Sequence, residues 1–471
     1  MMETLNNSKP NLNLALDEYL KGRKLPAGLI AAMLLIGSLI GFAHNTSPAP
    51  FIPQMIDFFG LDSVRDQPLI NASMSVIFAS TVPASLFAAA IESRIGTRVL
   101  FTLAMLVTAI GVLMVFIPSD SYTLFLAGRI IYGVGFGFNI PALGSAFMKW
   151  FRPKGRQLMV TMNGVLPLLG ALVSYAGLPI IGAAAGGDGG MSAGWQMGYG
   201  FTGFIVVVVF VVWFVGVRKN VDDINIAVEE ERILGADSSE QGARNENPFK
   251  WAFKTNQIKC LLIAFICDFC MYMYIATIMP IWLINAGGMD EITANLWTAI
   301  AFPVFGVAGT IIGGVVMNVS GRRKPIIVLC QVIKLVGFII ACMGADSGSV
   351  WIIAGIALFG LGNGGWMPPL FLMPTEIRGS DSSKVATSYS ILMSSGYIMG
   401  LISPILGGAL SNGLIDASGI TGETMQLAYG LKWSVFYLGL GHIVAIIASL
   451  KLKETGAKAG EENRISYSIA S

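Results

Sequence analysis

Charge is what this chain has least of: only 12% of its 471 residues are Asp, Glu, Lys or Arg, about half the share usual in soluble domains. That scarcity excludes an ordinary cytosolic enzyme. A net charge of +2 excludes a nucleic-acid binder, which needs a strongly basic face. Two histidines and five cysteines leave little for metal or redox chemistry and too few thiols for a disulfide-stapled secreted scaffold. What the chain has instead is 54% apolar residues and 56 glycines, well above the glycine share of soluble proteins. That combination reads as helices packed closely in lipid.

A membrane helix needs about 20 mostly apolar residues, and twelve segments qualify. They run Ala27–Ser47, Leu69–Ile91, Val99–Ile117, Tyr122–Phe147, Leu158–Ile181 and Met197–Val217, then Ile258–Leu283, Ala294–Val319, Pro325–Met343, Val350–Leu372, Val385–Ala409 and Leu431–Leu450. Residues 1–26 are polar and lack the pattern of a cleavable signal. The Lys/Arg distribution tests this topology independently, because cytoplasmic loops hold the excess. With the N-terminus inside, 26 of the 30 Lys and Arg fall inside. Arg65 and Lys432 fall outside, and Arg129 and Lys334 lie within segments. The expected protein is all-α, with both termini cytoplasmic in a cell membrane. Its parts are a cytoplasmic segment (1–26), a six-helix bundle (27–217), a cytoplasmic linker (218–257), a second six-helix bundle (258–453) and a cytoplasmic tail (454–471).

The two halves repeat each other. Segment 4 reads Arg129-Ile-Ile-Tyr-Gly133-Val-Gly135-Phe-Gly137 followed by Pro141; segment 10 reads Ile356-Ala-Leu-Phe-Gly360-Leu-Gly362-Asn-Gly364 followed by Pro368. Every glycine and the proline shift by 227. The turn Ser93-Arg94-Ile95-Gly96-Thr97-Arg98 likewise answers Asn318-Val319-Ser320-Gly321-Arg322-Arg323. Such parallel halves are related by an axis along the membrane normal.

At these residues the sequence resembles the major facilitator superfamily of secondary transporters. The two turns look like the family's Gly-x-x-x-Asp-Arg-x-Gly-Arg-Arg motif, with Ser93 and Asn318 at the acidic positions and Glu92 as a substitute carboxylate. Arg129 with its glycines matches the family's span-4 motif, and Pro374-Thr-Glu376-Ile-Arg378-Gly379 a turn seen in many members. Gly396, Gly400, Pro404, Gly407 and Gly408 resemble an antiporter motif that normally sits in span 5. The resemblance implies two six-helix, pseudo-symmetric bundles rocking about a central site lined by spans 1, 4, 7 and 10. Gly96 and Gly321 would mark turns that latch one state.

A charge in the bilayer interior asks for a functional reason. Arg129 shares a helix face with Tyr132 and Phe136 and suits an anionic substrate, a proton-modulating role, or bonds to a neighbouring helix's carbonyls. Asp268, on one face with Tyr272, is the expected proton carrier or substrate ligand. The 227-residue shift maps it onto Gly41, one turn from His44, so acid and imidazole are expected to face one cavity. Asn45, Asn139, Asn363 and Trp366 complete the candidates. Lys334 is read as snorkelling or pairing on a peripheral span, and Cys267-x-x-Cys270 as packing rather than redox.

No catalytic constellation appears, and neither cofactor nor metal is expected. The function that fits is a secondary transporter working by alternating access, proton-coupled with Na⁺ as the rival ion, and expected to be a monomer. An organic-anion substrate stands slightly ahead of an amphipathic, drug-like cation. A non-transporting sensor on the same fold is the alternative from another class, disfavoured by the short linker and tail.

Overall fold

The computed structural model describes residues 11–23, 25–233, 247–377, 380 and 382–456. Among these every regular element is helical. Eleven helical stretches are long and apolar enough to cross a membrane, and one of them, Met162–Gly216, is 55 residues long. It holds two spans. The chain reverses at Gly187–Gly189, beside positive φ angles at Gly187 (54°) and Gly190 (56°) that favour glycine. Past the turn, Gly194 lies against the Gly182 carbonyl and Gly198 against that of Leu178.

The twelve spans are therefore span 1 (Ala27–Thr46), span 2 (Gln67–Ala88), span 3 (Thr97–Phe116), span 4 (Tyr122–Trp150), span 5 (Pro153–Leu172 continuing as Leu178–Gly186), span 6 (Gly190–Gly216), span 7 (Asn256–Asn285), span 8 (Glu291–Ser320), span 9 (Lys324–Ser347), span 10 (Ser349–Glu376), span 11 (Ser382–Ser418) and span 12 (Glu423–Leu450). Side-chain caps start some of them: Ser121 Oγ accepts from the Leu124 amide at 3.4 Å, and Asp290 Oδ1 from that of Thr293 at 3.0 Å. With twelve spans, both described ends share a face. Asp17 pairs with Arg152 in the turn after span 4, and Thr455 donates to Glu376 at the end of span 10. We call this the terminal face.

The glycine repeat has a direct packing meaning. A Cβ on Gly133 would meet Ser80 and Ile77 of span 2, and one on Gly137 would meet Thr81 and Ala84; Gly135 instead faces Thr108 and Ala104 of span 3. In the second half Gly360 and Gly364 face the span 8 backbone at Phe302 and Gly306, and Gly362 faces Lys334 and Cys330 of span 9. Each half thus seats its fourth helix in a cleft between its second and third, and the alternating glycines serve the two sides.

Between the halves, spans 2 and 11 meet, as do spans 5 and 8. The glycines of the span 11 motif make the first contact possible: Gly400 lies against Phe78, and Gly408 against Gln67 and Pro68. Spans 5 and 8 each carry a π turn, Val173–Gly177 and Ile300–Val304, and Tyr175 within the first donates its hydroxyl to Ala276 O of span 7. Further bonds join the halves near the face opposite the termini. Asn71 Nδ2 donates to Pro404 O at 2.9 Å, Asn295 Nδ2 to Pro50 O at 3.2 Å and Asn412 Nδ2 to Arg65 O at 2.7 Å. Gln54 pairs with Glu291, and Ser63 with Glu423. Around them Ile52 and Ile70 of the first half pack among Met271, Ile275, Met279 and Leu283 of span 7.

Candidate functional site

In the first half, Arg129 is fully buried. Its guanidinium donates to Ser73 O (2.8 Å), His44 O (2.7 Å) and Asn45 O (3.0 Å). Asn45 O and Ser73 O are free for a local reason, whereas His44 O also accepts from Ser47 N–H at 3.4 Å and from Ser47 Oγ at 2.9 Å. Span 1 ends at Thr46, leaving its last carbonyls without helical partners. Span 2 is broken at Val76, between helices Gln67–Ser75 and Ile77–Ile95, which strands the Ser73 carbonyl. A cation at the C-terminal end of span 1 also meets its dipole favourably. The Tyr132 hydroxyl, with one proton to donate, lies 2.5 Å from two acceptors, Gly41 O and Asn45 Oδ1, and Arg129 sits 5.4 Å from its ring centroid. His44 Nδ1 lies 3.0 Å from Thr202 Oγ1 and 3.1 Å from Ser47 Oγ. Its ring packs edge-on against Tyr132 and Tyr199. Arg129, Tyr132, Asn45 and His44 are thus brought together in one knot.

In the second half, Asp268 of span 7 is 1% exposed and ion-paired to Lys334 of span 9, which is fully buried. Of the two readings of Lys334, pairing holds and snorkelling does not: its stem lies along the space left by Gly362, and its ammonium points inward to Asp268. The ammonium also stands 4.2 Å from the Trp366 ring centroid. A third residue joins, one that sequence reasoning missed. His442 of span 12 is fully buried, with Nε2 3.7 Å from Asp268 Oδ1. The signal for it was present, a histidine inside an apolar segment, but span 12 is not among the cavity-lining spans of the resembling family. The expectation that Asp268 and His44 share a cavity is likewise corrected. Each is held by partners of its own half.

Where the halves meet midway through the membrane, the lining is aromatic. Tyr132, Phe136, Phe78 and Met273 form one buried cluster with Phe42, Phe269, Tyr272 and Tyr397 around it. Phe78 of span 2 stacks on Tyr397 of span 11 at 5.5 Å and 15° between planes, and Phe269 lies 5.6 Å from Tyr272. Of the candidate site residues, Tyr132, Phe136 and Tyr272 reach this seam, whereas Asp268 and Trp366 stay inside the second half. Asn139 and Asn363 are buried, each with its Oδ1 lacking a hydrogen-bond partner. Cys267 and Cys270 are free thiols, and no metal-binding group of His, Cys, Asp or Glu exists among the described residues.

At the terminal face the two repeated turns are built alike. Glu92 does supply the missing carboxylate: its Oε1 accepts from Lys149 Nζ (2.7 Å), Thr97 Oγ1 (2.5 Å) and Ser145. Burial pushes its carboxyl up, but the Lys149 ammonium and the hydroxyls outweigh this and hold it below the usual glutamate range. Arg98 donates to Val217 O and to Phe214 O, capping span 6, and its amide donates to Asp222 Oδ1 at 3.0 Å. Burial raises Asp222 above the ordinary aspartate range. The counterpart Arg323 holds Glu376 at 2.8 Å and Met317 O at 3.1 Å, and Glu454 Oε1 accepts from its amide at 2.7 Å. Gly96 and Gly321 turn the chain with φ of 84° and 64°. Arg94 and Arg322 are exposed, and Arg378 lies outside the described residues.

The sequence matches the family model of the Major Facilitator Superfamily over residues 33–404. The chain belongs to that superfamily. Its members are membrane transporters, not enzymes, so this facilitator is a multi-pass membrane protein with a transporter fold. No curated protein matches it by sequence. Among solved structures, a bacterial homologue of the human lysosomal transporter Spinster, inward-facing and occupied, aligns with TM-score 0.71 at 14% identity, covering 95% of this chain and 100% of that one. A D-xylose–proton symporter aligns with TM-score 0.72 at 14% identity, covering 90% and 97%. The xylose transporter XylE of E. coli, partially occluded and inward open, aligns with TM-score 0.63 at 13% identity, covering 90% and 98%. At these identities the likeness is one of fold.

Proposed function

We propose that this facilitator is a proton-coupled secondary transporter that moves a small amphipathic organic solute by alternating access. The aromatic seam between the halves carries the solute class. Ring faces accept apolar bodies and favour cations over anions, and Tyr132, Phe136, Phe269, Tyr272 and Tyr397 supply them from both bundles. Arg129, the expected anchor for an anion, already donates to three carbonyls. The amphipathic reading therefore moves ahead of the organic-anion one. Closure near the face opposite the termini supports alternating access, since those bonds would break as the halves rock. The inward-facing and inward-open states named for two similar structures fit the same reading. A proton, with Na⁺ as rival, is the coupling ion because an ionisable cluster centred on Asp268 is buried in mid-bundle, where a charge calls for function.

Proteoliposomes loaded with ethidium, with benzoate as the anionic comparison, test this directly. An imposed pH gradient should drive ethidium across and a Na⁺ gradient should not; Asp268→Asn, destabilised by the unpaired Lys334 and reconstituted as its folded fraction, should lose the pH dependence. Benzoate transport without ethidium transport would overturn the solute class, and indifference to the pH gradient would overturn the coupling.

A further inference from the structure

A lysine and a histidine bracket one carboxylate in the second half. Lys334 holds Asp268, and His442 approaches the same Oδ1 at 3.7 Å, too long for a good hydrogen bond. Asp268 Oδ2 and both ring nitrogens of His442 lack a hydrogen-bond partner, although all are buried. So does the whole side-chain amide of Gln331, three residues before Lys334 on span 9. Leaving such groups unmade is costly, and here they are concentrated around a single ion pair. The ring is otherwise enclosed by Phe338 and Phe359, at 5.9 and 5.7 Å. The ionisable groups facing it are Asp268 from span 7 and Lys334 from span 9, with Cys267 of span 7 against the neighbouring Gly441; span 10 contributes Phe359 and no charge. Span 12 is less regular two residues earlier: at Leu440, between Glu423–Gly439 and Gly441–Leu450, the dihedrals stay helical (φ −58°, ψ −20°) but Ile443 N–H bonds to Leu440 O, a tighter rung. A tighter rung flanked by Gly439 and Gly441 is a place where the helix can flex.

We propose that His442 is the group that takes up the proton, and that Asp268 is a counter-ion shared between Lys334 and His442. This deepens the proton-coupled reading above and rests on it for its role in transport. With the ring neutral, Asp268 and Lys334 cancel each other and the buried cluster carries no net charge. A proton arriving from water adds to the ring's lone pair and makes an imidazolium; no other bond forms or breaks. The cluster then holds one positive charge too many for an apolar interior. The carboxylate relieves this by turning toward the imidazolium Nε2–H, and Lys334 leans onto the Trp366 ring face it already approaches. Proton uptake therefore pulls span 12 toward span 7 and loosens span 9. Flexing at Leu440 lets the segment carrying His442 follow.

Because the chain has only two histidines, selective ¹⁵N-histidine labelling of the full protein in nanodiscs gives one pair of ring signals for each, assigned with His442→Gln or, if that variant fails to fold, His44→Asn. The His442 ring should pass from neutral to protonated between pH 8.5 and 5. In Asp268→Asn its midpoint should move toward acid by about one to three pH units, the effect of removing a nearby opposite charge. A ring that stays neutral throughout in the unmodified protein overturns the proposal without need of any variant. Titration indifferent to Asp268→Asn overturns the shared counter-ion. If instead the ring titrates as expected but ethidium movement ignores the pH gradient, the switch stands and the coupled-transport reading falls.

Discussion

Removing one partner of the Asp268–Lys334 pair should be among the most damaging single changes in the protein. The two side chains are 1% and 0% exposed, so solvent cannot screen the charge left behind. Breaking a pair in such a place costs about 3–5 kcal/mol, which is two to four decades in an unfolding equilibrium at roughly 1.4 kcal/mol per decade. Lys334→Met and Asp268→Leu should each show that loss. The double variant should recover most of it, because an apolar pair of similar volume replaces a buried ion pair at little net cost. The coupling energy of the cycle, the two single losses less the small residual loss of the double variant, should therefore exceed about 4 kcal/mol, above the usual range for contacting residues because the pair is fully buried. Reversible unfolding of the purified protein in mixed micelles, followed by tryptophan fluorescence, measures all four corners. Single effects that add to within about 0.5 kcal/mol would refute the idea that the two charges depend on each other.

Other outcomes follow from the same geometry. A Cβ on Gly364 would stand 1.8 Å from the Gly306 carbonyl, whereas one on Gly144 meets nothing within 4 Å. Gly364→Val should therefore abolish folded yield on size-exclusion chromatography, while Gly144→Ala should gain about 0.5–1 kcal/mol as a helix interior loses a glycine; equal behaviour of the two would contradict the packing. Arg129→Lys keeps the charge but not the three-way fork. It should lower the melting temperature, since each orphaned carbonyl costs about 1–3 kcal/mol, and an unchanged melting point would show that the carbonyl bonds contribute nothing. Glu92 is held below the usual glutamate range in the folded protein, so its contribution is present above the ordinary value of about 4.3 and fades as pH falls through the lower folded value. The stability gap between wild type and Glu92→Gln should accordingly persist at pH 7 and 5 and close below pH 4; a gap independent of pH would refute the assignment.

Much of this architecture was legible in the linear chain because lipid leaves few choices. A segment that cannot hydrogen-bond to its surroundings must satisfy its backbone internally, so apolar length alone marked out the spans, although Gly187–Gly190 had to be recognised as a turn within one 55-residue helical stretch. The 227-residue glycine repeat announced how spans 4 and 10 pack, since only glycine admits a backbone so near. Which buried charge meets which partner was not legible. Arg129 and Lys334 look alike in sequence, each a lone cation in an apolar run. In the folded protein one is held by carbonyls freed at the end of span 1 and the break in span 2, and the other by a carboxylate 66 residues away. His442 joins that carboxylate from the last span. Partner choice depends on which helix faces are turned toward each other, and hydropathy, which averages over all faces of a helix, carries no record of that.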